Sequence, residues 1–352
     1  MRVTLRDVAK QANVSPMTVT NVLRGRGSEV SETTRTRVMD AVREMDYVPV
    51  RVAMQNRQVA TNVLGLVPYR AHLAGNEVDA GTYQGLCEGA YSHGYDLFVL
   101  LRRESEWQGI GQKARFLDRR TDGFVFVSPN VGEWGLVFAA MQKHTVPGVV
   151  CYRRDVPENI AWVDPDNETM MRLAVERLAG AGHRNIAYLR PPLANPQDKY
   201  RLANLALPEN FDGLERIAYF ERFARDYECA ESVANVLDFL RPDWILDDTI
   251  VSAIRERHIT AVIACGLLAA TQLQAISRNA GMTLPRDLAV IALEEGAGAE
   301  VAAISTVAFD YAEVGRVAAT VFDGVMKGRE VAASHRIVPV RLRERGSVMP
   351  RS

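Results

Sequence analysis

Eight short apolar runs, separated by helix-forming stretches, constrain this chain most. They are Val63–Val67, Leu97–Leu101, Gly123–Val127, Gly148–Cys151, Ile160–Val163, Ile186–Leu189, Ala261–Ala264 and Leu288–Leu293. Each is rich in Val, Ile, Leu or Phe, and none alternates strictly between apolar and polar. A strand with one wet face alternates, whereas a strand covered on both faces need not. Continuous apolar strands between helices therefore predict parallel sheets with helices on both sides. Eight of them are enough for two doubly wound parallel sheets, and 352 residues leave room for a further domain.

The first sixty residues contain no such run and differ in charge. They carry ten Lys/Arg against six Asp/Glu, whereas the remainder carries 32 basic and 37 acidic side chains. The overall net charge of −1 hides this division. A basic N-terminal part on an acidic body predicts two jobs, with the basic part meeting a polyanion.

Helical signals crowd this part. Thr4 followed by Asp7 resembles a capping box, with Val8, Ala9 and Ala12 on one apolar face. Asn13 suits a left-handed turn. Ser15 is a second N-cap and Pro16 occupies the first helical position. Val19, Val22 and Leu23 form the apolar face of this helix, and Gly25 and Gly27 end it. Ser31 caps a third helix, whose inward face is Val38, Ala41, Val42 and Met45. Such a pair of short helices is either a plain helical hairpin or a helix-turn-helix, in which the second helix lies in the major groove. On the latter reading Pro16, Met17, Thr18 and Asn21 face base edges. Met17 suits a thymine methyl and Asn21 a bidentate contact to adenine. Thr4, Ser15, Thr20, Ser31 and Arg35 are then candidates for phosphate contacts.

The run Val3–Ala9, then Val14-Ser15-Pro16-Met17-Thr18-Val19, Val30-Ser31, Thr34-Arg35 and Tyr47-Val48-Pro49 resembles the LacI/GalR family of bacterial transcription regulators. The resemblance implies an all-α helix-turn-helix headpiece over residues 1–48 that binds double-stranded DNA. Where the family usually has Ser-Arg, this chain has Thr20-Asn21, so the bases read need not be the usual ones. The resemblance also implies a linker over 49–61 that folds on DNA and enters the minor groove beside its dimer mate. A leucine there usually wedges between base pairs. Arg51, Val52 and Asn56 are the candidate contacts. Asn56 stands at the wedge position and is polar, which implies a weaker kink or minor-groove hydrogen bonding. A flexible linker without DNA contact is the alternative, since a short isolated helix is marginal.

The likeness continues through Gly85…Gly89…His93-Gly94-Tyr95-Asp96, Asp122-Gly123, Gly182–Ala187, Leu284–Ile291 and Arg343–Ser347. It implies an effector and dimerisation domain over 62–352, similar to periplasmic sugar-binding proteins. Expected are one lobe over about 62–164 and 309–332, and a second over about 165–308 and 333–346. Ligands in open α/β sheets sit beyond the carboxyl ends of strands. That places Tyr69, Arg70, Ser128, Tyr152, Arg153 and Glu294 as candidate ligand contacts. Arg216 matches the family's Arg-x-x-Gly-Phe, although Tyr219 replaces the glycine. The family's Asn-Asp-x-x-Ala reads Cys265-Gly266-Leu267-Leu268-Ala269 here, and its Gly-Phe-Asp-Asp reads Ala292-Leu293-Glu294-Glu295. Two polar groups are lost at Cys265-Gly266. A sugar site pairs many donors and acceptors, so the expectation is a less polar or differently charged effector, or none. Residues 190–214 are expected to form a long loop at the cleft mouth or on the surface.

Other classes fall away. No apolar run reaches the roughly 18–20 residues of a membrane span, and the N-terminus lacks the apolar core of a signal peptide. Cys87, Cys151, Cys229 and Cys265 form no Cys-x-x-Cys pair and read as reduced thiols of a cytoplasmic protein. The histidines lack metal-ligand spacing, so no metal is expected. Gly296-Ala297-Gly298 resembles a dinucleotide loop, but Val301 holds the third glycine position. With no nucleophile elbow or phosphate loop either, neither cofactor nor enzymatic activity is expected. Five residues follow Ser347 without a leucine heptad, which favours a dimer over a coiled-coil tetramer. The resulting expectation is a repressor at the bacterial nucleoid that binds a palindromic operator as a homodimer under control of a small molecule. The rival is a ligand carrier whose headpiece is not used on DNA. A steep salt dependence of duplex binding separates the two.

Overall fold

The computed structural model describes residues 3–23, 30–47, 60–68, 77–101, 115–127, 131–191, 211–229, 236–241 and 244–351. Three helices come first: α1 (Leu5–Gln11), α2 (Pro16–Leu23) and α3 (Glu32–Glu44). They close over Val8, Ala9, Ala12, Val19, Val22, Val38, Ala41 and Val42, as the helical spacing predicts, together with Tyr47, which it does not. Leu23 and Met45 are only partly buried against this core. The stop expected at Gly25 and Gly27 lies outside the described residues, as does most of the loop expected over 190–214.

All eight apolar runs are strands, and they build two six-stranded sheets. The first has the order β11-β5-β4-β3-β1-β2 and the second β12-β10-β9-β8-β6-β7. The first lobe holds β1 (Val63–Val67), β2 (Asp96–Val99), β3 (Gly123–Val127), β4 (Gly148–Cys151), β5 (Ala161–Pro165) and β11 (Arg336–Val338). The second holds β6 (Ile186–Leu189), β7 (Val236–Leu237), β8 (Ala261–Ala264), β9 (Ala289–Ala292), β10 (Ser305–Ala308) and β12 (Arg341–Arg343). Every residue of β3, β4, β6, β8 and β9 is buried, as strands covered on both faces require.

Two differences from the sequence expectation stand out. The second sheet is not wholly parallel, because β12 runs antiparallel to β10 at its edge. The last crossing between lobes also comes later than residue 333, because β11 pairs with β5 in the first sheet. The chain thus crosses after Pro165, after Ala308 and after Val338.

Helices α4 (Glu77–Ser92), α5 (Val131–Lys143) and α11 (Tyr311–Met326) cover the first sheet. The second carries α6 (Asn167–Gly180), α7 (Phe211–Asp226), α8 (Ile250–Glu256), α9 (Leu267–Asn279) and α10 (Ala297–Val301). Helices α4 and α11 cross almost backbone to backbone. A Cβ on Gly85 would lie 1.8 Å from the Ala312 carbonyl oxygen, and one on Gly315 would lie 2.1 Å from that of Thr82. No helix among the described residues is long and apolar enough to cross a membrane.

Candidate functional site

The N-terminal surface is built by caps. Thr4 and Asp7 form the expected box: the Thr4 amide donates to Asp7 Oδ2 at 2.7 Å and the Asp7 amide to Thr4 Oγ1 at 3.3 Å. The Thr4 hydroxyl also donates to Asp7 Oδ2 at 2.6 Å, and these bonds hold the Asp7 carboxyl below its ordinary range. Asn13 adopts the left-handed conformation, φ 52°, that turns the chain into α2. Ser15 Oγ accepts from the Thr18 amide at 3.0 Å and Ser31 Oγ from that of Thr34 at 3.3 Å.

These bonds say which groups remain for DNA. The hydroxyl hydrogens of Thr4, Thr20 and Ser31 are directed to Asp7, to the Pro16 carbonyl and to Thr34. Donation to a phosphate from any of them requires the hydroxyl to rotate. Met17 is free of such ties: it is 67% exposed on α2, while Val19 and Val22 of the same helix are buried. Pro16 is exposed beside it, and Thr18 and Asn21 are half-buried. Arg35 is half-buried and pairs loosely with Glu32 at 3.7 Å. The linker candidates Arg51, Val52 and Asn56 lie outside the described residues, as do Tyr69, Arg70 and Ser128.

Between the lobes, strand ends converge as the topology demands. Cys265 follows β8, Glu294 lies two residues beyond β9, and Arg190 follows β6. Arg216 reaches in from α7. Burial pushes the Glu294 carboxyl up to about 7, against the pull of the Arg216 charge. Burial also pushes the Cys265 thiol up, with the Glu294 charge adding to it, so the thiol stays protonated. The glycine at 266 makes room for this carboxylate, since a Cβ there would lie 2.5 Å from Glu294 Oε2. No hydrogen-bond donor among the described residues engages the Glu294 side chain.

Tyr152 and Arg153 are committed elsewhere. Tyr152 takes a left-handed conformation, φ 68°, and its ring lies 6.0 Å from that of Phe309. The Thr82 hydroxyl spends its hydrogen on the Val78 carbonyl at 2.7 Å, so Tyr152 donates to Thr82 Oγ1, at 2.5 Å. Asp155 grips the Arg153 guanidinium at two points, 2.8 and 2.5 Å. Both residues thus stand at the expected strand end, with their polar groups already bonded within the first lobe.

A polar chain that the sequence reading missed links the lobes. Arg154 of the first lobe donates to Asp164 Oδ2 at 2.6 Å and to Glu215 Oε1 of the second lobe at 3.5 Å. Asn167, fully buried, donates to Glu215 Oε2 at 3.0 Å and accepts from Arg216 Nε at 2.9 Å. A second missed pair is Arg190 with Asp238, which follows β7. Its position after the legible strand β6 could have pointed to Arg190; no local signal marks Asp238, Arg154, Asn167 or Glu215.

A basic three-helix unit with an outward recognition face thus precedes two lobes with polar strand ends between them. Residues 4–50 match the family described as bacterial regulatory proteins, lacI family, and residues 175–348 match the periplasmic binding protein-like domain. The chain thus carries a LacI-type helix-turn-helix domain followed by a periplasmic binding protein-like domain, and the proteins it resembles are LacI-family regulators. The HTH-type transcriptional repressor PurR of Aliivibrio fischeri (strain MJ11) is 28% identical over 305 residues, covering 82% of this chain and 80% of that protein. Catabolite control protein A of Priestia megaterium is 27% identical over 197 residues, covering 56% of this chain and 57% of its own length. Two solved structures share the fold: the transcriptional regulator CelR–cellobiose complex (TM-score 0.66, 23% identity, 98% of this chain and 100% of that one) and the lac repressor dimer bound to operator and the anti-inducer ONPF (TM-score 0.65, 21% identity, 99% and 100%).

Proposed function

We propose that this regulator binds a palindromic operator as a homodimer and represses transcription from it in the bacterial cytoplasm. The observation that carries the reading is Met17, a large apolar side chain that the headpiece leaves outside its core at the start of α2. Met17, Pro16, Thr18 and Asn21 are the proposed base contacts. Ser15, Arg35 and, after hydroxyl rotation, Thr4, Thr20 and Ser31 are the phosphate contacts. Arg51, Val52 and Asn56 are proposed for the minor groove. A small molecule between the lobes controls affinity, with Glu294, Arg216 and Cys265 as its second-lobe contacts. Tyr69, Arg70, Ser128, Tyr152 and Arg153 are the first-lobe positions, Tyr152 and Arg153 offering mainly packing. An unengaged carboxylate favours an effector that brings hydroxyl or amino donors. No catalytic role is assigned, in keeping with relatives that are transcription regulators.

Selection of duplexes from a random pool by the full-length protein tests this reading. The expected product is a palindrome bound with a steep salt slope, about 0.9 per phosphate contact. Salt-insensitive binding without sequence preference would instead mark a carrier. On the selected duplex, Met17→Ala lowers affinity about tenfold while thermal stability stays within about 0.5 kcal/mol. Asn56→Leu restores an apolar wedge and bends the duplex more, read as a change in phasing of gel mobility. Equal bend angles for the two proteins would remove Asn56 from the wedge position.

A further inference from the structure

Asp122 immediately precedes β3, whose first residue is Gly123. The glycine is needed for packing: a Cβ on Gly123 would lie 2.5 Å from the Pro147 carbonyl oxygen and 2.7 Å from the Phe322 ring. The aspartate does something else. Asp122 Oδ1 accepts from the Thr61 amide and the Thr61 hydroxyl, each at 2.8 Å, and Oδ2 accepts from the Asn62 amide at 2.8 Å. The Asp122 amide returns a bond to the Val63 carbonyl at 2.8 Å, and the Asn62 carbonyl accepts from Asp96 at 2.8 Å. Asn62 is held in a left-handed conformation, φ 54°. Thr61 is the last residue of the linker 49–61, and Asn62 is the first residue after it. The carboxylate therefore grips the chain where it leaves the first sheet towards the headpiece.

We propose that Asp122 is a positioning residue for DNA binding, which fixes the exit of the linker and couples the position of the first lobe to it. Asp122 touches neither DNA nor effector. A carboxylate suits the task because both of its oxygens only accept, and three donors converge on it. An asparagine has the same shape, but either orientation of its amide turns an NH2 against a donor. A loosened exit lets the linker leave in many directions, and ordering it on the operator then costs entropy that the clamp otherwise removes. Non-specific binding, which needs no fixed register of two headpieces, is spared.

The inference rests on the DNA-binding reading above, and the wild-type arm of the experiment separates the two. Wild type, Asp122→Asn and Thr61→Val are titrated as full-length proteins against the selected duplex and a scrambled duplex of equal length, with thermal melts alongside. Failure of the wild type to prefer the selected duplex defeats the functional reading itself. Given that preference, Asp122→Asn is expected to lose about tenfold in affinity for the selected duplex, the factor carried by about 1.4 kcal/mol. Its affinity for the scrambled duplex and its melting temperature are expected to stay at wild-type values. Amide exchange at Thr61 and Asn62 is expected to speed up. Unchanged affinity for the selected duplex, or an equal loss on both duplexes, overturns the proposal. Should Asp122→Asn fail to fold, Thr61→Val decides: it removes one hydroxyl, keeps the shape, and is expected to lose about threefold on the selected duplex alone.

Discussion

Gly85→Ala will unfold the first lobe at temperatures where the wild type is intact. The added Cβ would lie 1.8 Å from the Ala312 carbonyl oxygen and 2.5 Å from its carbon. Both are backbone atoms of α11, so no rotamer change relieves the clash. The opposite face is equally tight, because Gly315 of α11 has its own Cβ direction blocked by the Thr82 carbonyl at 2.1 Å. Alanine at 85 must therefore push two 16-residue helices apart, and α11 also packs on β3, β4 and β5. Overpacking a rigid interior typically costs about 1–3 kcal/mol, and a contact between two backbones belongs at or above the top of that range. At about 2–4 °C per kcal/mol for a domain of this size, the melting transition should fall by roughly 6–12 °C. Gly135→Ala is the matched control, since nothing among the described residues lies within 4 Å of its Cβ position in α5. It should be neutral or slightly stabilising, as alanine outranks glycine in a helix by about 1 kcal/mol. Equal melting of Gly85→Ala and wild type would show that the helices do not cross so closely.

Gly85 also shows what the sequence could and could not convey. Its spacing from Gly89 was visible, but the reason lies on α11, more than two hundred residues away. Caps behave oppositely. Thr4 with Asp7, and Ser15 with Thr18, are bonded across three residues, so local pattern was enough to place them. The buried strands were legible for a similar reason: a run such as Gly-Phe-Val-Phe-Val has one stable use in water. Strand β10 was not legible, because Ser-Thr-Val-Ala is half polar. Its burial relies on distant partners: the Arg345 amide donates to Ser305 Oγ at 3.0 Å, and Glu295 accepts from the Thr306 hydroxyl at 2.7 Å. The short strands β7, β11 and β12 carry two or three residues each, too few to hold a period. In the cleft, strand-end logic and family resemblance brought Cys265, Glu294 and Arg216 together. They could not foresee that Tyr152 and Arg153 would be tied within their own lobe, which depends on Thr82 and Asp155.

Glu294→Gln is expected to stabilise the protein and to weaken its response to effector, and the two effects share one cause. Glu294 is desolvated, so its carboxyl is pushed from 4.5 up to about 7 in the folded chain. The native state therefore holds a proton more tightly than the unfolded state, and stability falls as pH rises from about 4.5 to 7. Below that window the carboxyl is neutral in both states and costs nothing. Above it the full penalty applies, up to about 3 kcal/mol at 1.36 kcal/mol per pH unit. Glutamine cannot ionise, so the variant should melt above the wild type at pH 8, and the two curves should meet near pH 4 (about the unfolded carboxyl value). Parallel melting curves over that whole range would show that folding does not strain this carboxylate. A chain that tolerates such a cost has a use for the charge. An effector bringing hydroxyl or amino donors would supply the hydrogen bonds that no described residue gives Glu294, and would draw its carboxyl back down. Wild-type binding should then release a proton most strongly near pH 6–7, within the span of that shift. For Glu294→Gln, effector affinity should fall about ten- to a hundredfold, and the release of operator DNA by effector should weaken with it. Retained affinity with no proton release would place the effector away from β9.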